Sequence, residues 1–258
     1  MIAAGKTGGK TESKAMRIED IRIVLVRPQG QMNIGSVARA MKNVGLKELA
    51  LVDPAGPPIH PDARLMAVGA HDILEDALIF PSLADALAEC TWVIGTTRRG
   101  GKRREGVIDP RQMAAEVAEI IQQNKVAIIF GPEDKGLTNR DLDLCQRLAT
   151  IPAHEEYGSL NLAQAVMIVS YEIFLAGRHK KDLSPGEKLA TTAELEGMYR
   201  HMEEALLRIG FLAQNNPKRM MAVLRRIFSK AQLDTREVQV LRGICRQANW
   251  YAGRHSIK

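Results

Sequence analysis

Short hydrophobic runs alternate with amphipathic segments along the first 180 residues of this 258-residue chain. Six of the runs have the length of strands and are rich in Val, Ile, Leu and Ala; they cover 21–26, 48–53, 77–80, 92–96, 126–131 and 149–152. Most are continuous runs of Val, Ile, Leu and Ala rather than alternating ones, which is typical of parallel strands covered by helices on both faces. The pattern therefore predicts an α/β domain built on a mainly parallel sheet.

Helix start and stop signals lie between these runs. Asn33 is suited to cap a helix that runs to Val44, and Gly45 follows where a left-handed residue would end it. Three further positions predict helix starts: Ser82, Asp109 before Pro110, and Thr138. Strand and helix signals thus alternate, as they do in an open α/β sheet.

The character of the sequence changes after Lys181. Residues 182–192 contain Pro and Gly without periodicity and are predicted to form a linker. Three helical segments follow, the second after Asn216–Pro217 and the third at Asp234–Thr235. We therefore divide the chain into four parts: a flexible tail (1–17), an α/β body (18–181), the linker (182–192) and a helical extension (193–258).

Composition excludes several classes of protein. Hydrophobic residues make up 45% and charged residues 26%, which is ordinary for a soluble globular protein. No apolar run is long enough to cross a bilayer, so we expect no membrane span. Cys90, Cys145 and Cys245 are widely spaced and never form a CxxC pair. We therefore expect reduced cysteines, a cytoplasmic location and no metal site.

Positive charge is concentrated near the C-terminus. Residues 178–258 hold 16 Lys and Arg against 8 Asp and Glu, whereas the preceding residues hold 20 against 22. A basic appendage on a near-neutral body is suited to attract a phosphate backbone. A well-solvated helical face has the same composition, so charge alone leaves both interpretations open.

Three segments each join a hydrophobic run to a cluster of small and polar residues that opens a helix: 24–41, 128–139 and 151–174. They place five polar residues at strand-to-helix turns: Asn33, Arg39, Glu133, Ser159 and Asn161. Open α/β sheets gather ligand-binding groups at such turns. Taken singly, each has a structural alternative, because an exposed helix Arg, a connecting turn or a helix cap would use the same residues.

Motifs for several other chemistries are absent. No GxGxxG follows a strand, and the chain has no P-loop, HExxH or GxSxG. The nearest match to a nucleophile motif is at Ser159, which lies between Gly158 and Leu160. No base can be assigned to it. His71 and His154 have no neighbours in sequence that could complete a metal site, and we interpret them as structural.

The residues of the three segments, and the order of the segments, resemble the motifs of the SPOUT superfamily, in its SpoU/TrmH branch of RNA 2′-O-ribose methyltransferases. The matching patterns are P-x-G-x-x-N-I-G-S-x-A-R, then F-G-P-E-x-x-G-L, then I-P followed by S-L-N-L-A-Q-A-V. The resemblance covers about 21–175. It implies a deep trefoil knot in the α/β fold, S-adenosylmethionine as the cofactor and a homodimer.

The resemblance also assigns catalytic roles to these residues. Asn33 and Arg39 match the first motif, Glu133 the second, and Ser159 and Asn161 the third. The Arg is the residue held to act on the 2′-hydroxyl, with help from the substrate phosphate, and a cation there would stabilise developing alkoxide charge. Arg39 follows Asn33 by six residues, and we expect it to return to nearly the same side of the helix.

Two further sets of residues are expected to bind ligands. The cofactor pocket should be built from loops after the fourth, fifth and sixth strands, by Thr96, Thr97, Arg98, Gly131, Ile151, Gly158, Ser159 and Leu160. A basic segment after the fourth strand should contact RNA through Arg98, Arg99, Lys102, Arg103 and Arg104. In the extension, Arg225 and Arg226 should either face RNA or lie in solvent.

The helical extension resembles one found in a bacterial group of this family that methylates nucleotide 32 of the tRNA anticodon loop. We therefore expect S-adenosylmethionine-dependent 2′-O-methylation of tRNA at cytidine or uridine 32. One alternative is a ribosomal RNA methyltransferase of the same family. An alternative of another class is a knotted RNA-binding protein without catalytic activity.

Overall fold

A computed structural model describes residues 17–98, 106–154, 158–179, 188–213 and 215–254. Within these ranges six strands form one sheet, in the order β3-β2-β1-β5-β4-β6, and every neighbouring pair is parallel. The strands are β1 (Ile21–Val26), β2 (Glu48–Val52), β3 (Leu78–Phe80), β4 (Trp92–Thr96), β5 (Val126–Phe130) and β6 (Arg147–Ala149). The predicted parallel α/β sheet is confirmed.

Helices connect the strands and continue beyond them. In the body they are α1 (Gln31–Val44), α2 (Pro61–Met66), α3 (His71–Glu75), α4 (Leu83–Leu87), α5 (Pro110–Ile120), α6 (Asn139–Leu142) and α7 (Leu162–His179). Nearer the C-terminus follow α8 (Thr192–Arg208), α9 (Pro217–Ala231) and α10 (Thr235–Arg254).

Most of the predicted helix signals are confirmed. The side chains of Ser82, Asp109 and Thr138 each accept a backbone hydrogen bond at the start of a helix. Gly45 ends α1 with a φ of 82°. The cap predicted at Asn33 is wrong, because α1 already begins at Gln31 after Gly30. The Asn33 amide is bonded to residues elsewhere in the fold and does not cap its own helix.

The sixth strand was predicted two residues too late. It runs from Arg147 to Ala149, at the edge of the sheet, and not over 149–152. Arg147 can lie in a strand at this edge because its guanidinium pairs with Glu116 of α5 at 2.9 Å. An apolar-run criterion misses a strand of this kind, since an edge position tolerates a charged residue.

Strands β1, β2, β4 and β5 are buried on both faces almost throughout, which explains their continuous apolar runs. On one face Ile23 and Ile128 pack with side chains from α1, α5 and α7. On the other, Val24 and Ile129 pack with Leu83 and other residues of α4. The cavity-bearing loops described below therefore rest on a sheet with two hydrophobic layers.

Strand β6 lies between residues that follow β4 and residues that precede α5. Thr97, just past β4, donates its N–H to Ala149 O at 2.9 Å on one side of β6. On the other side, Ile108 donates to Leu148 O and its own carbonyl accepts from Thr150 N. Strand β6 is thus hydrogen-bonded to Thr97 on one side and to Ile108 on the other, and α7 then packs between α1 and α5. This is the trefoil-knotted α/β fold that the resemblance implies, an arrangement close to absent elsewhere.

Helices α8 to α10 share a separate apolar cluster that includes Leu195, Met198 and Cys245. The segment before them is attached to the body, because Leu189 N donates to Asn124 Oδ1 and Thr192 N donates to Cys90 O. The rest of the predicted linker, 182–187, lies outside the described residues, as do residues 1–16 of the predicted tail. The four-part division of the chain remains a prediction.

Candidate active site

A cavity of about 520 Å³ opens at the carboxyl ends of β4 and β5. Its walls come from residues after β4, from the loop between β5 and α6, and from the segment between β6 and α7. Residues predicted to bind the cofactor all line it: Thr96, Thr97, Arg98, Gly131, Ile151, Gly158, Ser159 and Leu160. The volume lies within the range of about 300–1,000 Å³ that is usual for small-molecule sites.

Further lining residues were not anticipated from the sequence. They are Phe130, Pro132, Asp134, Lys135, Gly136, Leu137, Thr138, Asn139, Leu162 and Ala165. Most belong to the loop between β5 and α6, which lies along the cavity over its whole length. The capping signal at Thr138 and the nearby glycines were visible in the sequence, but they did not show which way the loop faces.

Position 131 requires a glycine, because the backbone around it leaves no room for a side chain. A Cβ at this position would lie 2.3 Å from Gly136 C and from Leu137 N, far inside van der Waals contact. The two ends of the turn therefore touch each other at Gly131, and any side chain there would force the loop open. A substitution would disturb the cavity through its wall, without reaching into the cavity itself.

Glu133 is held at the rim of this cavity by three hydrogen-bond donors. Its Oε1 accepts from Asn33 Nδ2 at 2.8 Å and from Gly30 N at 3.1 Å. Its Oε2 accepts from Gln29 N at 3.1 Å. The second motif thereby fastens to the turn between β1 and α1, about 100 residues earlier in the chain.

Asn161 links the third motif to the first. Its Nδ2 donates to Asn33 Oδ1 at 2.9 Å, while its Oδ1 accepts from Ala163 N at 2.9 Å and so caps α7. A continuous hydrogen-bonded chain therefore runs from Glu133 through Asn33 to Asn161 and the start of α7. Because each amide uses both ends, the orientation of both side chains is determined by the network.

The network keeps Glu133 ionised. Burial raises the pKa of this half-buried carboxyl, but the hydrogen bonds from Asn33, Gln29 N and Gly30 N outweigh it, and the net pKa lies below its ordinary value. A carboxylate with a lowered pKa is a poor proton acceptor at neutral pH. Glu133 is therefore suited to orient its neighbours and unsuited to serve as the general base.

Arg39 does not join this network, which corrects the expectation that it shares a side of α1 with Asn33. Six residues correspond to about 9 Å along the helix and a rotation of about 240°, so the two side chains diverge. Arg39 is exposed and forms no hydrogen bond or ion pair with any residue that the structure describes. Ser159 lies on the cavity wall, two residues from Asn161.

Comparison with known proteins identifies the family of this chain. Residues 20–171 match the model of the SpoU rRNA Methylase family, more than half of the chain. The chain belongs to the SpoU methylase family. Residues 193–256 separately match the C-terminal domain of the tRNA methyltransferase TrmJ. The part of this SpoU methylase that forms α8 to α10 is therefore also related to a described domain.

Curated relatives of this SpoU methylase match along nearly their whole length. It is 40% identical over 239 residues to the tRNA (cytidine/uridine/adenosine-2′-O-)-methyltransferase TrmJ of Pseudomonas aeruginosa, covering 88% of this chain and 93% of that protein. The TrmJ of Cronobacter sakazakii, a tRNA (cytidine/uridine-2′-O-)-methyltransferase, is 39% identical with 88% and 95% coverage.

Solved structures show the same fold. The crystal structure of TrmJ from Z. mobilis superposes with a TM-score of 0.76 at 36% identity, covering 88% of this chain and 98% of that one. A probable methylase family protein from Haemophilus influenzae superposes with a TM-score of 0.61 at 34% identity, with 91% and 97% coverage. These matches extend through the knot and into the C-terminal helices.

The family is one of methylases, and the cofactor that the sequence motifs imply is S-adenosylmethionine. The cavity fits such a group, since its lining combines apolar residues such as Ile151, Leu160 and Leu162 with polar ones such as Thr96 and Ser159. It lies where parallel α/β sheets bind their ligands. The assignment of individual residues to the cofactor remains a prediction.

The predicted RNA-binding residues are only partly visible. Arg98 lines the cavity, whereas Arg99, Lys102, Arg103 and Arg104 lie outside the described residues. Arg225 forms a two-point ion pair with Glu196, one contact of which is 2.8 Å, and its guanidinium lies 4.3 Å from the Tyr199 ring centre. Its charge is therefore already paired within the protein, and contact between Arg225 and RNA stays a prediction.

Arg226 is free to act differently from its neighbour. It is exposed and lines a second cavity of about 750 Å³ between α9 and the end of the body that carries α6 and β6. The other cations of α9 line the same cavity, Arg225 among them: Lys218, Arg219, Arg225 and Lys230. Asn139 at the start of α6 lines both cavities, so the two sites adjoin.

Other chemistries find no support in the described part of the chain. Burial raises the pKa of the Cys90 thiol to about 11 and also raises those of Cys145 and Cys245, so none is a ready nucleophile. Among the residues that the structure describes, no group of three potential ligands could hold a metal ion. None of the described helices is long and apolar enough to span a membrane.

Proposed function

We propose that this methyltransferase transfers a methyl group from S-adenosylmethionine to the 2′-hydroxyl of nucleotide 32, cytidine or uridine, in the anticodon loop of tRNA. The observation that carries the proposal is the Glu133–Asn33–Asn161 network at the rim of the cavity. The relatives named above are tRNA 2′-O-methyltransferases, and the match to the TrmJ C-terminal domain favours tRNA over ribosomal RNA. We place the reaction in the cytoplasm.

Bound S-adenosylmethionine supplies a methyl group made electrophilic by its sulfonium. The residues of the chain have a different task, because a ribose hydroxyl is a weak nucleophile and must be oriented toward that methyl group. Asn33 and Asn161 are held rigidly by their neighbours, and the Ser159 hydroxyl is exposed at the cavity wall. We assign these groups to positioning the ribose, with Glu133 as their anchor.

We propose that the active form is a homodimer that uses the exposed face of α1 and α7. Met32 on α1 is 53% exposed, and Ile168 and Tyr171 on the adjacent α7 are 37% and 47% exposed. Arg39 follows Met32 by seven residues and therefore lies on the same side of α1. A dimer through this face would carry Arg39 to the cavity of the partner, where its cation would act on the substrate phosphate and hydroxyl.

RNA contact is assigned to the basic segment 98–104 and to the free cations of α9, including Arg226. Each lost phosphate contact should reduce the slope of log affinity against log salt by about one. Neutralising Arg98, Arg99, Lys102, Arg103 and Arg104 together should therefore flatten the slope by several units. An unchanged slope would leave α9 as the main RNA contact and assign the basic segment to solvent.

Titration calorimetry with S-adenosylmethionine tests the cavity. Leu160→Asp places a charge on its apolar wall at a side chain that is 36% exposed, so the fold should tolerate it. We expect affinity to fall by at least about tenfold, as for an unpaired charge against an apolar ligand surface. Ile79→Asp, on the edge strand β3 and 57% exposed, is the matched control and should bind like the parent.

The RNA target is tested by mapping 2′-O-methyl nucleotides in a strain that lacks this gene. Loss of the methyl group at tRNA nucleotide 32, restored by the parent gene, is the expected result. Loss from ribosomal RNA would favour the ribosomal alternative, which the description of the family model allows. If no methyl group is lost and purified protein transfers none, the chain is a non-catalytic RNA-binding knot protein.

A further inference from the structure

Arg27 forms an ion pair that none of the sequence motifs requires. It follows β1 directly, and its Nη2 lies 2.7 Å from Oδ2 of Asp141 on α6, 114 residues later in the chain. The Asp141 side chain is 9% exposed, whereas that of Arg27 is 38% exposed. The pair therefore joins a buried carboxylate to a half-exposed cation across the carboxyl end of the sheet.

The same carboxylate oxygen also organises the start of α6. Asp141 Oδ2 accepts from Thr138 N and from Thr138 Oγ1, each at 2.8 Å, and Asp141 N donates back to Thr138 Oγ1 at 3.2 Å. One oxygen thus receives three donors, of which Arg27 is the charged one. Thr138 and the neighbouring Asn139 line the first cavity. Asp141 therefore connects Arg27 to the cavity wall, because it bonds to Arg27 and also to Thr138 of that wall.

The opposite end of that wall is fastened to the same short turn. Gln29 N and Gly30 N donate to Glu133, while Arg27 pairs with Asp141. The loop between Glu133 and Asp141 is therefore attached at both ends to four consecutive residues, 27–30. Two-point attachment limits the positions the loop can adopt before any ligand arrives, which lowers the entropy lost on binding.

The backbone at Arg27 is specialised for this contact. Its φ is 49°, in the left-handed region that residues other than glycine seldom occupy. Arg27 N donates to Val52 O at 2.7 Å, which holds the turn against β2. A non-glycine residue persists in this conformation only where the surrounding structure enforces it. Among the described residues, Arg27 does not line the cavity, so any effect on a ligand passes through Asp141.

We propose that Arg27 is a positioning residue for the cofactor: through Asp141 it holds the loop from Pro132 to Thr138 in the shape that binds S-adenosylmethionine. The inference rests on the proposed assignment of the cavity to the cofactor. It predicts that loss of the pair weakens cofactor binding and raises the cofactor KM, while kcat at saturating cofactor stays close to that of the parent.

Titration calorimetry with S-adenosylmethionine on the full chain tests the proposal. Arg27→Ala should raise Kd by about three- to tenfold, the loss expected for a half-exposed charge-assisted hydrogen bond. Arg27→Lys keeps the charge without the planar fork and should fall between parent and Ala. Lys125→Ala is the matched control, since it breaks a half-buried pair with Glu48 at the opposite end of the sheet.

Hydrogen exchange in cofactor-free protein gives a readout that needs no bound ligand. Amides of Thr138, Asp141 and Leu142 should exchange faster in Arg27→Ala than in the parent, and those of the strands should not. If Arg27→Ala proves poorly folded, comparing Arg27→Lys with the parent retains the test. Unchanged Kd and unchanged exchange in a folded variant would overturn the proposal, as would an equal loss of affinity in Lys125→Ala.

Failure of this inference can be told apart from failure of the proposed function. If Leu160→Asp loses cofactor affinity and Arg27→Ala does not, the cavity binds the cofactor and only the role of Arg27 is wrong. If neither variant changes affinity although the parent binds, the cofactor lies elsewhere and both assignments are overturned.

Discussion

Asn161 and Asn33, 128 residues apart in sequence, share a 2.9 Å hydrogen bond in which the first donates from Nδ2 and the second accepts at Oδ1. The other end of each amide is also in use, since Asn161 caps α7 and Asn33 donates to Glu133. The knot brings these residues together, because α7 returns to pack against α1 after threading. The contact thus couples the integrity of the knot to the geometry of the proposed ribose site.

Asn161→Asp should separate the two roles of this side chain. Aspartate caps a helix as well as asparagine, so α7 should keep its start and thermal stability should change by less than about 1 kcal/mol. The donor to Asn33 is lost, however, and a second carboxylate is placed near Glu133. We expect methyl transfer to fall by about tenfold or more. Single-turnover assays and thermal melts on the same preparation measure both effects.

Asn161→Ala is the comparison for that variant. It removes the cap as well as the donor and should cost about 1 kcal/mol in addition. Parental transfer rates in the Asp variant would show that the bond to Asn33 is structural only.

Glu133 should contribute stability that depends on pH. Its pKa in the folded protein lies below the ordinary value of 4.5, so its contribution is fully present above that value and is lost as pH falls through the lower folded pKa. Glu133→Gln should be less stable than the parent near neutral pH by about 1–2 kcal/mol, because one acceptor becomes a donor facing other donors. The difference should shrink as the solution is acidified below pH 4.5.

Denaturant unfolding of parent and Glu133→Gln across this pH range provides the measurement. If the difference in unfolding free energy between parent and variant stayed constant on acidification, the hydrogen bonds would not be lowering the pKa of the carboxyl. Glu75→Gln is the control, because Glu75 belongs to an exposed pair with Arg64 and should show little difference at any pH.

Arg39→Ala should lower the single-turnover rate by about a hundredfold or more while cofactor affinity is nearly unchanged. Arg39→Lys should recover little, because an ammonium lacks the planar fork that holds a phosphate and a hydroxyl together. Transfer of a tritiated methyl group to a tRNA transcript at saturating RNA measures the loss. Near-parental turnover in the Ala variant would make Arg39 an ordinary surface residue.

Mixing two impaired variants, assayed at a cofactor concentration far below the Kd of Leu160→Asp, tests whether Arg39 acts across a dimer. Protomers of Arg39→Ala and Leu160→Asp, unfolded and refolded together, should recover up to about a quarter of parental activity, since half the dimers are mixed and each has one complete site. If Arg39 acts within its own protomer, no mixed dimer is complete and the mixture stays inactive.

Arg225 and Arg226 are adjacent and should behave differently. Arg225→Ala removes the pair with Glu196 and the stacking on Tyr199, so we expect a loss of about 1–3 kcal/mol in stability with little change in the salt dependence of RNA binding. Arg226→Ala should leave stability within about 0.5 kcal/mol and reduce the log–log salt slope by about one. If the salt slope of Arg226→Ala were as little changed as that of Arg225→Ala, Arg226 would not belong to the RNA-binding surface.

The sequence by itself determined the elements of this protein. Continuous Val, Ile and Leu runs such as 21–26 and 126–131 predicted buried parallel strands, because strands covered on both faces have no polar side. Local capping chemistry at Ser82, Asp109 and Thr138 likewise placed helix starts, since these hydrogen bonds involve residues only three apart. The knot and the cofactor were predicted from sequence motifs shared with a known family, and not from periodicity.

Contacts between distant segments were decided by the tertiary structure alone. Asn33 satisfies the local rule for a helix cap, yet its amide bonds to Glu133 and Asn161 because the threaded chain brings them within reach. In the sequence, Arg225 looks like a solvent-exposed cation. Its pair with Glu196 forms only because α9 packs on α8. Arg27 gives no local signal at all, since its partner Asp141 lies 114 residues away. Hydrogen bonds and ion pairs of this kind depend on how the elements pack, which a pattern over neighbouring residues does not contain.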